Sequence, residues 1–137
     1  MKNPGSSFLD MTTIQFIDHY NGWFGCTDDV SYGFYRTTDG GNTWVQGPHE
    51  LYLTLGIASF YFVDNFNGWL APILGIEASA IINTTDGGQT WGLLPEGTSL
   101  SNISSLCFIN KNLGWAVGSE PINHNAKAVI LRYKNNK

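Results

Sequence analysis

The groups in this sequence best placed to do chemistry are carboxylates, and two of them recur in a fixed setting. Asp39 stands in Thr37-Thr38-Asp39-Gly40-Gly41-Asn42-Thr43-Trp44, and Asp86 in Thr84-Thr85-Asp86-Gly87-Gly88-Gln89-Thr90-Trp91, 47 residues later. A carboxylate can serve as a general base, an acid or a nucleophile. Between hydroxyls and a Gly-Gly pair it can instead accept backbone N–H groups and hold a tight turn. The second chemistry suits the spacing better. The glycines admit positive φ, Thr43 and Thr90 add hydroxyl donors, and Trp44 and Trp91 pack where the chain leaves the turn. Thr37, Asp39, Gly41, Thr43 and Trp44, with Thr84, Asp86, Gly88, Thr90 and Trp91, are therefore assigned a structural role. No residue is assigned to catalysis.

A second pattern has nearly the same period. Phe16-Ile17-Asp18-His19-Tyr20-Asn21-Gly22-Trp23 is matched by Phe62-Val63-Asp64-Asn65-Phe66-Asn67-Gly68-Trp69, and more loosely by Phe108-Ile109-Asn110-Lys111-Asn112-Leu113-Gly114-Trp115. Self-similarity at this spacing signals a repeat architecture. Each unit divides into short strands: about 12–17, 23–27, 33–37 and 43–46, then 58–63, 69–73, 80–84 and 90–94, then 104–109, 115–119 and 128–133. The third unit carries no Asp-Gly-Gly turn, so its fourth strand is missing. An Asp or Asn opens the turn after each first strand, and Gly22, Gly68 and Gly114 supply backbone freedom at the exit. Trp23, Trp69 and Trp115 recur at one place and are expected to pack between sheets.

The octets fit Ser/Thr-x-Asp-x-Gly-x-Thr-Trp, which resembles the Asp-box (BNR) repeat. The Phe-x-Asp…Gly-Trp element is similar to the propeller family named for photosystem II assembly and stability factors. This resemblance covers two full units and one partial unit. It implies an all-β fold, a partial β-propeller of three four-stranded antiparallel blades with the third lacking its outer strand. The expected layout is a single domain over 1–137, with units at about 1–47, 48–94 and 95–137. The resemblance also implies a noncatalytic module, without cofactor, for protein or ligand binding or scaffolding, in the manner of an assembly factor. The rival it leaves open is a fragment or subunit of an Asp-box glycoside hydrolase. A sialidase of that kind holds its substrate carboxylate with three arginines, and only Arg36 and Arg132 exist here. Lysine is a poor substitute at a bidentate site.

In an antiparallel meander the 1–2 and 3–4 turns share one end of each blade. The loops near 28–32, 48–57, 74–79, 95–102 and 119–127 then share the other. Those loops differ between units and hold six of the eleven acids. Loops on a rigid scaffold are favoured places for recognition. Asp28, Asp29, Tyr32, His49, Glu50, Tyr52, Glu77, Glu120 and His124 form the candidate binding face, suited to a protein or glycan partner. Loop 119–127 is the longest of the 2–3 loops.

Other features restrict function. Net charge is −4, which disfavours nucleic acid and anionic membranes as partners. No stretch has the length to span a bilayer, and no signal peptide is expected. Localisation is open, extracytoplasmic if the sequence is part of a longer secreted protein. The three histidines lack metal-ligand spacing, so no metal is expected. Cys26 and Cys107 fall in different units and are expected to be buried thiols, not a disulfide. Closed propellers have about four to eight blades, so three units point to a longer propeller chain or to copies that combine into a ring.

Overall fold

The computed structural model describes residues 8–28, 32–48, 56–73, 80–94, 102–122 and 125–135. The described residues hold eleven strands in three antiparallel sheets. The first is β1 (Phe8–Phe16), β2 (Gly22–Asp28), β3 (Tyr32–Thr37) and β4 (Val45–Gln46); the second is β5 (Ile57–Phe62), β6 (Gly68–Pro72), β7 (Ile82–Thr84) and β8 (Gly92–Leu93). The third contains β9 (Asn102–Asn110), β10 (Leu113–Ile122) and β11 (Asn125–Lys134). Each strand pairs with the next in its sheet. This is the partial propeller expected from the repeats, with a three-stranded last blade. Among the described residues no helix is long and apolar enough to cross a membrane.

The core lies between the sheets. Trp23, Phe34, Ile57, Phe60, Phe62 and Leu70 fill the first joint, and Trp69, Ala71, Ile81, Ile103, Leu106, Phe108 and Ala116 fill the second. The second sheet is thus covered on both faces, and every residue of β6 is buried. The joints share one device. Trp23 stacks on Phe62 with ring centroids 3.9 Å apart, and Trp69 stacks on Phe108 at 3.8 Å. The Trp of one unit lies on the Phe of the next. Such a pair adds about 0.5–1.5 kcal/mol beyond burial of its area. At the first joint the Gln15 amide completes the contact: its Nε2 donates to Phe62 O at 2.9 Å, and Phe62 N donates to its Oε1 at 2.8 Å.

The Phe ring explains the glycine before each Trp. A Cβ on Gly68 would lie 2.5 Å from the Phe62 ring, one on Gly22 would lie 2.7 Å from Phe16, and Gly114 is covered by Phe108 in the same way. These glycines do not have positive φ; Gly40, Gly41, Gly56, Gly87 and Gly88 do. Close approach of a ring, and not turn freedom, is what excludes a side chain there.

Four further expectations are corrected. β4 and β8 are two residues long, because the N–H groups of Thr43 and Thr90 are directed to the Asp39 and Asp86 carboxylates instead of a ladder. Residues 119–122 and 125–127 are not part of an enlarged loop: β10 and β11 continue with Glu120 opposite Lys127 and Ile122 opposite Asn125. Opposite charges facing each other across strands favour that pairing. Among the described residues the pairing of β9 with β10 ends at Ser119, which leaves Pro121 with a single ladder, a place where proline is tolerated. Both cysteines are free, but Cys107 is exposed; it alternates with the buried Phe108 and so lies on the outer face of the third sheet. Finally, Trp115 is only half-buried, whereas Trp23 is 0% exposed, because among the described residues no further sheet covers it.

Replacing Trp23 by Ala should cost about 3–5 kcal/mol of unfolding free energy, and Gln15→Ala about 1–3 kcal/mol through the two Phe62 backbone groups it orphans. Urea unfolding measures both. A Trp23→Ala change worth under about 1 kcal/mol is incompatible with the joint as the main source of cohesion.

Candidate functional site

The repeated turns use their carboxylates internally. Asp39 Oδ1 accepts the Thr37 hydroxyl at 2.8 Å and Thr43 N–H at 2.9 Å, while Oδ2 accepts the Thr43 hydroxyl at 2.6 Å. Thr37 Oγ1 in turn accepts Gly41 N–H at 2.9 Å. Asp86 repeats this with Thr84 (2.8 Å), Thr90 N–H (2.9 Å) and the Thr90 hydroxyl (2.6 Å), and adds Gln89 N–H at 2.9 Å. Gly40 N–H and Gly87 N–H donate to Tyr20 O and Phe66 O, both at 2.9 Å, which ties each turn to the 1–2 turn of its own unit. The two kinds of turn therefore share one end of the sheet.

The electrostatics follow from these bonds. The Thr43 hydroxyl, then Thr43 N–H and Thr37, hold the Asp39 carboxyl down to about 2. At Asp86 partial desolvation pushes upward, but Thr90, Thr84 and Gln89 outweigh it and the result is again about 2. Asp18 is lowered mainly by Asn21 N–H, with the Asn21 side chain and Tyr20 N–H. At Asp64 desolvation again pushes upward, and Asn67 and Phe66 outweigh it, so its carboxyl too is lowered. A group this acidic is a poor general base near neutrality.

The candidate binding face falls largely elsewhere. Asp29, His49, Glu50, Tyr52, Glu77 and His124 lie outside the described residues. Asp28 ends β2 and Tyr32 begins β3, with Tyr32 paired to Thr27. Glu120 lies within β10 and not in a loop. Among the described residues, no three His, Cys, Asp or Glu side chains come together to hold a metal.

Sequence reasoning passed over a groove at the first joint. It has a volume of about 530 Å³, within the range of ordinary ligand sites, and runs between Phe34, Arg36 and Val45 of the first unit and Gly87, Gly88 and Gln89 of the second. Arg36 is half-buried, with its guanidinium carbon 5.6 Å from the centre of the Trp23 ring. Its Nε is buried without a hydrogen-bond partner among the described residues. The groove thus combines apolar walls with the positive charge of the half-buried Arg36 guanidinium, a fit for a carboxylate on an extended chain. One signal was available in the sequence: both arginines occupy the same repeat position, opposite Trp23 and Trp115.

Solved structures similar to this chain include two of YCF48. YCF48 bound to D1 peptide matches at 24% identity and a TM-score of 0.66, over 98% of this chain and 41% of that one. YCF48 from Cyanidioschyzon merolae matches at 20% identity and a TM-score of 0.61, over 90% and 37%. At these identities the likeness is one of fold. The chain spans about two-fifths of the length of each. No family model matches the sequence, and no curated protein is matched by it.

A carboxyl whose folded pKa is depressed stabilises the fold above its unfolded value and loses that contribution as pH falls. For Asp39 and Asp86 the window runs from about 4, the ordinary value, down to about 2. Thermal unfolding should therefore show the wild type losing stability between those pH values. The Asp39→Asn/Asp86→Asn double variant should be less stable at pH 7 and flatter across the window. Equal slopes for the two proteins would mean that these carboxylates contribute nothing to the acid sensitivity of the fold.

Proposed function

We propose that this chain is a noncatalytic propeller module that binds an extended segment of a partner protein, in the manner of an assembly factor. The groove at Arg36 carries the reading: it sets a guanidinium cation between apolar walls. Two observations support it. The carboxylates of Asp18, Asp39, Asp64 and Asp86 are engaged by their own turns, which leaves them ill-suited to the paired acid–base work of a glycosidase. A protein of the same fold, YCF48, has been solved with D1 peptide bound. The candidate face that includes Asp28, Glu77 and His124 is proposed as a further contact.

A fluorescently labelled library of extended peptides, with free and amidated C-termini, tests this reading by anisotropy. A subset should bind, and Arg36→Gln should weaken that subset about tenfold or more, the worth of a hydrogen bond to a charged group. Circular dichroism checks that the variant is folded. No binding across the library, binding indifferent to Arg36, or turnover of an aryl-glycoside panel would contradict the proposal.

A further inference from the structure

We infer that a second copy of this chain docks head-to-tail on the first, through the joint that already unites the first and second units. In that joint the first unit presents Trp23, Arg36 and Phe34. Trp23 stacks on Phe62 and its Nε1 donates to Gly87 O at 3.1 Å. Arg36 and Phe34 cover Gly87 and Gly88: a Cβ on Gly87 would fall 2.5 Å from Arg36 Nη1, and one on Gly88 would fall 2.7 Å from the Phe34 ring. Phe34 is 2% exposed and Phe62 1%.

The third unit presents the same set again. Strand register places Arg132 opposite Trp115 as Arg36 is opposite Trp23, and Ile130 opposite Val117 as Phe34 is opposite Gly25. Trp115 is half-buried and Ile130 is 72% exposed. At the other end of the chain the first unit presents the receiving set. Phe16 is 42% exposed, against 1% for its counterpart Phe62. Gly40 and Gly41 have the positive φ of Gly87 and Gly88, but among the described residues the nearest atoms to them are His19 O, Trp44 and Phe16 of their own unit. The receiving side is also preformed. Phe16 meets Trp44 edge-on at 6.0 Å, as Phe62 meets Trp91 at 6.1 Å.

Among the described residues the chain therefore holds both halves of one joint, each partly exposed. A patch that fits a different patch of its own kind makes a heterologous contact, which closes when the rotation permits. Two copies bring six sheets together, within the range of closed propellers. The occupant is a second copy because the Trp–Arg set and the Phe–Gly-Gly set are complementary to each other at the same repeat positions. This inference does not rest on the peptide-binding proposal.

Sedimentation of the purified chain at micromolar to hundred-micromolar concentration tests it. The expected mass is twice the 15.1 kDa of one chain. Trp115→Ala and Phe16→Ala should each weaken association at least tenfold, with circular dichroism confirming the fold. Mixing the two variants should restore a dimer, because each mixed pair retains one intact Trp115–Phe16 joint. A chain that stays monomeric throughout overturns the inference and leaves these faces to further units of a longer propeller. A dimer insensitive to both substitutions, or a mixture that shows no recovery, overturns it equally.

Discussion

An indole lying flat on a phenyl ring holds each pair of neighbouring sheets together, and the other contacts are arranged around that stack. It needs three things at once. A Trp must stand at the start of the second strand, and a Phe at the end of the next unit's first strand. A glycine must precede the Trp that comes after that Phe, because the ring occupies the space of its side chain. A period of about 46 residues delivers these groups to the same place in every unit. The sheets are too small to bury a face alone, so stability comes from contacts between units, as in other repeat architectures.

The Asp-Gly-Gly turns are subordinate to that stack. Their carboxylates fix a loop whose glycines sit beside the ring pair, and one such loop supplies the carbonyl for the Trp23 indole. The residues described in the third unit include no such turn, and its joint is arranged differently. Tyr133 stands there in register with Gly114, as Thr37 and Thr84 stand with Gly22 and Gly68. Its ring packs 6.3 Å from Trp69, but Trp69 Nε1 is buried with no partner among the described residues. An unsatisfied buried donor costs about 1–3 kcal/mol, and the first joint carries such donors too, at Arg36 Nε and Trp91 Nε1; what distinguishes it is the bond from the Trp23 indole to Gly87 O.

The repeats made strand number, order and the incomplete third blade legible in the sequence, because each is local and recurs. The features that were not legible depend on partners distant in the chain or on pairing that overrides local preference. The role of Gly22, Gly68 and Gly114 was hidden because the ring that covers each comes from the preceding strand and not from the turn. Residues 120–127 read as a loop because Pro121 and the asparagines are turn formers, yet antiparallel pairing overrides that preference. The groove at Arg36 is formed by two units together, and no window of sequence within one unit contains it. The acidic loops proposed for binding fall mostly outside the described residues, whereas the groove's walls come from strands and Asp-Gly-Gly turns.

The repeated carboxylates hold turns through their own hydroxyl and backbone bonds, and a carboxyl-carbon NMR titration of Asp39 and Asp86 in the intact chain tests that role. Both should protonate near a pH of about 2, since hydroxyl and backbone donors hold the charged form. Midpoints at about 4 or above, the range of a free or catalytically poised carboxyl, would contradict that role.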